Sequence, residues 1–156
     1  MASAFDQFCK DTQKVLKDHK GREGRKMVQL NLEKLLNSPE FVEAECGLDA
    51  KPGIRTIYRD KETGFNVLVH VYKDGKKGPP HDHGHSWAVY GQAMEWTDMT
   101  LWKRKDDGTR AGFADLEKLE TFRLTPGKAG IFEVGEIHSI HFPDGARFVR
   151  VTGTDL

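Results

Sequence analysis

The hydrophobic positions of the first fifty residues repeat at helical spacing. This pattern predicts three helices, over residues 4–19, over residues 27–36 and in a short segment that starts at Pro39. Ser3 is the predicted N-cap of the first helix, and the glycine-rich residues 21–24 are predicted to break the helical course. Because each helix has one apolar stripe, we expect the helices to cover a sheet.

From about residue 54 the period changes from 3.6 to 2, as is typical of β-strands. The predicted strands span residues 54–59, 65–72, 87–95, 99–103, 120–124, 130–134, 138–142 and 146–153. The third and fourth of these strands can pair with each other, and residues 109–119 have both helical and loop character. Short strands with glycine and proline turns, after a helical prelude, predict an antiparallel sandwich or barrel of the jelly-roll kind.

The size and charge of the chain limit the classes of protein to which it can belong. A length of 156 residues predicts one domain, with residues 1–50 as a helical segment and residues 54–156 as the barrel. Lysine plus arginine and aspartate plus glutamate both number 24, so no basic excess points to nucleic acid or to an anionic membrane. The sequence has no membrane-length apolar run and no signal-peptide pattern, which predicts a cytoplasmic protein. Cys9 and Cys46 are expected to be reduced, partly buried thiols.

Histidines form the most specific pattern in the strand-rich part of the chain. His81 and His83 follow the helix-incompatible segment Gly78-Pro79-Pro80, so both imidazoles are expected to leave the same face of an extended segment. His138 lies on a later strand and can supply a third nitrogen. Three neutral imidazoles leave metal positions open for water, oxygen or substrate, which indicates a catalytic type of site. The alternative is a set of surface or core histidines that bind no metal.

Two motifs around these histidines resemble those of the cupin superfamily. Gly75, five residues and His81-Asp82-His83 are similar to the start of the first cupin motif, and the stretch from Gly127 to His138 is similar to the second. The resemblance covers about residues 54–156. It implies a mainly β protein with a double-stranded β-helix, that is, a jelly-roll barrel, on which the N-terminal helical segment packs.

Trp87 and Ala88 stand where cupins usually have a glutamate, and this departure moves the resemblance towards cysteine dioxygenase and other thiol dioxygenases. In those proteins three histidines hold iron, which implies that His81, His83 and His138 hold Fe(II), with Zn, Ni or Mn as alternatives. Residues 79–102 and 147–156 most resemble a poorly characterised branch of predicted metal-dependent enzymes in this superfamily.

Further side chains are candidates for catalytic or substrate-binding roles near the metal. Arg150 stands where the thiol dioxygenases have the histidine of a Ser-His-Tyr relay, and this relay is absent from the sequence. We assign Arg150 and His85 as candidate catalytic residues; His85 could also be a fourth ligand or part of an exposed loop. Arg59 is a candidate for binding a substrate carboxylate or phosphate, and Tyr90 and Gln92 are candidates for lining the substrate cavity. His70, on an apolar strand, is expected to be a satisfied core or pocket-edge residue.

The predicted function is metal-dependent, O₂-dependent oxidation of a small molecule that chelates the metal through a thiol or carboxylate. The alternatives are a non-catalytic cupin that binds a metal or a small ligand, and a zinc or nickel isomerase or hydrolase. The expected partners are the small-molecule substrate and O₂, without nucleic acid or membrane. The resemblance also implies a homodimer.

Overall fold

The computed structural model describes residues 3–19, 21–81, 86–106 and 115–153. Its helices are α1 (Ala4–Asp18), α2 (Gly21–Leu36) and α3 (Pro39–Cys46). Among the described residues, no helix has both the length and the apolar composition that a membrane span requires.

The two predicted N-cap residues, Ser3 and Ser38, occupy the N-cap positions of α1 and α3. The Ser3 hydroxyl accepts a hydrogen bond from the Asp6 amide at 3.0 Å, and the Asp6 carboxylate accepts one from the Ser3 amide, which forms a capping box at the start of α1. Ser38 occupies the N-cap position of α3 with Pro39 in its first turn, but the Ser38 side chain makes no capping hydrogen bond.

The prediction that residues 21–24 break the helical course is wrong, because α2 begins at Gly21 and continues through Gly24. Gly21 opens the helix with φ +73°, in the left-handed region that favours glycine. Gly24 lies so close to the His19 carbonyl oxygen that a Cβ atom would collide with it. Gly24 therefore allows close approach between the end of α1 and the first turn of α2, whereas Gly21 is needed for its backbone conformation.

Nine strands in the described part of the chain form two antiparallel sheets. The strands are β1 (Gly53–Arg59), β2 (Asn66–Val71), β3 (Lys76–Lys77), β4 (Ala88–Met94), β5 (Thr97–Arg104), β6 (Leu116–Leu124), β7 (Ala129–Phe132), β8 (Ile137–Phe142) and β9 (Arg147–Thr152). The five-stranded sheet has the order β1-β2-β9-β4-β7, and the four-stranded sheet has the order β3-β8-β5-β6. This arrangement of two layers with long-range crossovers is the predicted jelly roll.

The expectation that the strands over residues 87–95 and 99–103 pair with each other is wrong. β4 pairs with β7 and β9 in the larger sheet, whereas β5 pairs with β6 and β8 in the smaller one. Between them Glu95 has φ +60°, which is uncommon for a residue other than glycine. The chain thus passes from one sheet to the other at this point. Of the ambiguous stretch 109–119, residues 116–119 belong to β6, while residues 109–114 lie outside the described residues.

The three helices pack on the outer face of the five-stranded sheet. Alternate residues of its strands, mostly valines, point to this face and form one buried cluster with Val28, Leu32 and Leu35 of α2. Gly91 of β4 leaves room for α2, because a Cβ atom there would collide with Leu32 and Leu36. The helix segment therefore contributes directly to burying the sheet.

The other face of the five-stranded sheet looks towards the four-stranded sheet, and the space between them is the inner space of the barrel. A second buried cluster fills part of it with side chains from both sheets: Ala88, Tyr90, Met99, Leu124, Phe132, Phe142, Ala146 and Phe148. Tyr72, Leu101, Phe122 and Ile140 pack against this cluster. The inner space is therefore rich in aromatic rings, whereas the helix-covered face is rich in valine.

Both cysteines are buried and free, as predicted. Burial raises the pKa of the Cys9 thiol to about 12, with a further contribution from the negative charges of Asp6 and Asp60. Burial also raises the pKa of Cys46, to about 11. Because the thiolate is the reactive form, burial disfavours reaction of both thiols, and they serve as packing residues.

Candidate metal centre

His81 and His138 are held side by side by backbone hydrogen bonds. The His81 amide donates to the His138 carbonyl at 2.8 Å, and the His138 amide donates to the His81 carbonyl at 2.9 Å. This reciprocal pair forms an isolated antiparallel bridge, in which directly opposite side chains leave the same face. The two imidazole centroids are accordingly 4.6 Å apart. Two histidines that are 57 positions apart in sequence are thus brought together.

The orientation of the His81 ring follows from its backbone partner. Its Nδ1 atom lies 3.1 Å from the Pro79 carbonyl oxygen. A carbonyl oxygen only accepts hydrogen bonds, so the ring hydrogen is assigned to Nδ1 and the lone pair of the neutral ring to Nε2. Metal-binding histidines are commonly oriented in this way by a backbone carbonyl on the other ring nitrogen. The Pro79 carbonyl therefore orients the His81 ring so that Nε2 is the nitrogen that can bind a metal.

His138 is the buried member of the pair, with no exposed surface. Its ring stacks on Phe132 with centroids 4.2 Å apart, and it meets the Tyr90 ring edge-to-face with centroids 6.0 Å apart. On the four-stranded sheet it is directly opposite Leu101. These neighbours hold the imidazole in one place and keep bulk water away from its buried side, while the exposed His81 lies at the mouth of the barrel.

His83, the third predicted ligand, lies outside the described residues, as do Asp82 and His85. Within residues 3–19, 21–81, 86–106 and 115–153, no group of three histidine, cysteine, aspartate or glutamate side chains is placed to hold a metal ion. His81 and His138 nevertheless fit as two members of an all-imidazole set, because their rings converge and the orientation of His81 is fixed. Imidazole ligands suit iron, zinc, copper and nickel.

His141 has a different position from His138, although both lie on β8. Its side chain is exposed on the outer face, and its ring centroid is 5.4 Å from that of Trp96. The three-residue spacing on a strand predicts these opposite faces. His141 therefore provides a matched control for the role of His138.

Arg150 lies on the inner face, where its charge acts on His70, Tyr72 and Tyr90. It is directly opposite Tyr90 on β4 and Leu68 on β2. Burial raises the pKa of Tyr90, while the charge of Arg150 and its hydrogen bond to the Tyr90 side chain partly offset this rise. Since the Tyr90 ring also borders His138, Tyr90 stands between Arg150 and the histidine pair.

His70 and Tyr72 belong to the same inner face, and sequence reasoning did not assign them a role in the site. The Nδ1 atom of His70 lies 3.0 Å from the Tyr72 hydroxyl, and its ring stacks on Phe148 at 4.5 Å between centroids. Burial, together with the charge of Arg150, lowers the pKa of His70 to about 3, so the ring is neutral at ordinary pH. The signal in the sequence was the two-residue alternation: His70 and Tyr72 alternate with the valines that face the helices.

Gln92 is fully buried on β4, opposite Phe148. Its amide nitrogen donates to the Met94 carbonyl at 2.8 Å, whereas its Oε1 atom has no hydrogen-bond partner among the described residues. Gln92 therefore makes one hydrogen bond in the core through its amide nitrogen, while its amide oxygen accepts none from the described residues. Its assignment as a substrate-cavity residue stays a prediction.

Arg59 lies at the edge of the five-stranded sheet, exposed and opposite Asn66. A β-bulge between Thr56 and Tyr58 inserts one extra residue into β1, so the inner-face positions resume at Arg59 after Thr56. The ring of Tyr58 points the other way, where it contacts Phe5 of α1. A substrate-binding role for Arg59 stays a prediction, and its position places it on the rim rather than beside His138.

No protein-family model matches the sequence, and no curated protein is similar to it in sequence. Among solved structures, BH2720 from Bacillus halodurans is similar with a TM-score of 0.54 at 9% identity, over 77% of this chain and 80% of that one. A cupin superfamily protein from Desulfitobacterium hafniense has a TM-score of 0.46 at 13% identity, over 69% and 84% of the two chains. The cupin domain of Cnp3 from Schizosaccharomyces pombe has a TM-score of 0.47 at 16% identity, over 65% of this chain and 64% of that one, less than two thirds of its length. At identities this low the likeness is one of fold: the chain is a two-sheet jelly roll, and cupins are among the solved structures it resembles.

Proposed function

We propose that this chain is a metal-dependent cupin enzyme of the thiol dioxygenase type. In this proposal His81, His83 and His138 hold Fe(II), and the reaction is the O₂-dependent oxidation of a small chelating molecule. The observation that carries the proposal is the His81–His138 pair, whose ring centroids are 4.6 Å apart. The Pro79 carbonyl contacts Nδ1 of His81, which leaves Nε2 as the nitrogen that can bind a metal. A backbone carbonyl on the other ring nitrogen is the arrangement commonly found at metal-binding histidines.

The inner-face residues support a catalytic role over a purely structural metal site. When bound, an iron ion with three neutral ligands supplies its full positive charge and open positions at which O₂ and an electron-rich substrate group are activated. Phe132 and Tyr90 shield the buried side of His138 from water. Tyr90 contacts the His138 ring and lies opposite Arg150, and in this proposal the Arg150 charge and the Tyr90 hydroxyl group orient the substrate.

The test is oxygen uptake by protein prepared without metal and then loaded anaerobically with Fe(II), Zn(II) or Ni(II). Thiol and non-thiol chelating substrates are offered in parallel, and consumption is followed with an oxygen electrode. We expect uptake only with Fe(II) and with a subset of substrates. His81→Ala should abolish the uptake, whereas the control His141→Ala, on the outer face of β8, should retain it.

Two outcomes would contradict the proposal. Full occupancy by zinc or nickel, with no oxygen uptake by the iron-loaded protein, would favour an isomerase or hydrolase. Uptake that persists unchanged in His81→Ala would show that any oxidation takes place away from the histidine pair.

A further inference from the structure

A groove beside α3, named the α3 groove here, lies on the surface away from the histidine pair and has a volume of about 530 Å³. The residues that line it come from α3, from the loop after α3 and from the end of β4: Pro39, Val42, Glu43, Gly47, Leu48, Asp49 and Met94. Met94 ends β4, whereas Ala88 at its start pairs with Phe132, the ring on which His138 stacks. The α3 groove is therefore at the opposite end of β4 from the candidate metal centre.

Arg147 of β9 fixes two walls of the α3 groove. Its Nη1 atom donates to the carbonyl oxygen of Cys46, the last residue of α3, at 3.2 Å. The same atom donates to the Sδ atom of Met94 at 2.9 Å. The guanidinium thus holds the C-terminal end of α3, where the helix dipole favours a cation, against the end of β4. Because these elements are already held together, a ligand of the groove does not have to order them.

The α3 groove exposes apolar side chains. Leu48, in the loop after α3, is 87% exposed. Val42 and Met94 are half-buried beside it, and the flexible thioether of methionine adapts to differently shaped partners. A single exposed leucine is ordinary on a protein surface, but one that borders a groove with further apolar side chains indicates an interaction site.

The rim of the α3 groove is acidic. Glu43 and Asp49 line it, both are exposed, and neither forms an ion pair with another described residue. Residues 38–50 contain four acidic residues and no lysine or arginine, although the two signs of charge are equal in number over the whole chain. Two carboxylates beside an apolar surface favour a cationic partner and repel an acidic one.

We propose that the α3 groove binds a basic amphipathic segment of a partner protein. An apolar side chain of that segment lies between Val42, Leu48 and Met94. Lysine or arginine side chains on either side of it pair with Glu43 and Asp49. A central apolar anchor with a polar rim is the usual composition of a protein interface. The bound segment leaves the histidine pair accessible, and the inference does not rest on the proposed function.

The experiment uses two short probe peptides with the same pattern of leucines, one with lysine and one with glutamate at every polar position. Their affinities for the protein are measured by fluorescence anisotropy. We expect only the lysine probe to bind. Leu48→Ser should weaken its binding at least about tenfold, as the loss of a buried leucine predicts. The double variant Glu43→Gln/Asp49→Asn should weaken it about twofold to tenfold at low salt, where surface ion pairs are least screened.

Matched controls come from β6, where another exposed leucine, Leu119, lies near the exposed Glu117 and Glu120 outside the α3 groove. Leu119→Ser and Glu117→Gln/Glu120→Gln should leave the affinity for the lysine probe unchanged. Circular dichroism establishes that every variant is folded, and amide resonances of ¹⁵N-labelled protein locate the probe, with the expected shifts in residues 39–49 and at Met94.

Three outcomes would overturn the proposal. The first is equal affinity of the two probes, and the second is a set of resonance shifts confined to other surfaces. The third is an absence of probe binding together with a dimer of the wild-type protein that Leu48→Ser dissociates, which would assign the α3 groove to a second copy of this chain.

Discussion

The two faces of the five-stranded sheet are made from alternating residues of the same strands, yet their chemistry is opposite. On β9, Val149 and Val151 face the helices and are fully buried in an apolar cluster. Arg150 and Thr152, between and beyond them, face the inner space. The strand thus places packing side chains on one face and polar side chains on the other at every second position.

The inner face keeps polar atoms that a core built for stability alone would exclude. Four of them have no hydrogen-bond partner among the described residues: His70 Nε2, Gln92 Oε1, Arg150 Nε and Thr152 Oγ1. Leaving buried polar groups unpaired lowers stability, so proteins retain them mainly where function requires them. Thr12 Oγ1 and Arg147 Nε on the helix-covered side also have no partner among the described residues, so the two faces differ mainly in their strand side chains: mostly valine on the outer face, and aromatic or polar on the inner face.

The largest stability effect is expected from the helix-covered face. Leu32 of α2 is fully buried against β4, and Leu32→Ala should lower the free energy of unfolding by about 2–5 kcal/mol because it leaves a cavity. Leu30→Ala, on the same helix but 64% exposed, should change it by less than about 0.5 kcal/mol. Denaturant unfolding measures both variants. Metal bound per folded molecule should stay at the wild-type level in both; a loss in Leu32→Ala would mean that the two faces are not separable.

A smaller loss of stability is expected when a hydroxyl group is introduced on the helix-covered face. Val151→Thr keeps the side-chain shape but buries a polar atom among valines, which should cost about 1–3 kcal/mol of unfolding free energy. The measurement is again denaturant unfolding. A cost near zero would show that this face accepts polar groups as readily as the inner one.

Replacing a hydroxyl group by a methyl group at the next residue, Thr152, should have the smallest effect on the free energy of unfolding, and should raise it. Thr152 is buried, and its hydroxyl has no partner among the described residues, so Thr152→Val should raise the free energy of unfolding by up to about 1 kcal/mol. If stability falls instead, the hydroxyl group is already bonded in the folded protein, and the inner face is less open to ligands than the comparison requires.

The parts of the fold that follow local rules were predictable from the sequence. Alternation predicted the strands, and the capping pattern at Ser3 predicted where α1 begins. The destination of β5 was not predictable, because a strand that follows another closely in sequence can either pair with it or cross to the second sheet, and only the packing of the whole barrel decides between them. The glycines at positions 21 and 24 were wrongly interpreted as a helix break, because glycine also allows the left-handed φ of Gly21 and the close contact of Gly24 with the His19 carbonyl oxygen.

For the site, the two motifs were enough to predict that His81 and His138 lie near each other. The prediction that His81 enters at the start of a strand is wrong, because His81 lies in an isolated bridge to His138. His70 was predicted to be a satisfied core or pocket-edge residue, and it is buried on the inner face, but its Nε2 atom has no hydrogen-bond partner among the described residues. Only its pairing with Tyr72 and its proximity to Arg150, which are tertiary contacts, distinguish it.

The central claim is that the buried His138, paired with His81, carries a metal ion. The most direct measurement is the metal content of dialysed wild-type, His138→Ala and His141→Ala proteins after equal loading with Zn(II), with circular dichroism to establish that each is folded. We expect about one ion per chain in the wild-type and His141→Ala proteins, and loss of nearly all bound metal in His138→Ala. A folded His138→Ala protein that retains the wild-type content and affinity would contradict the account.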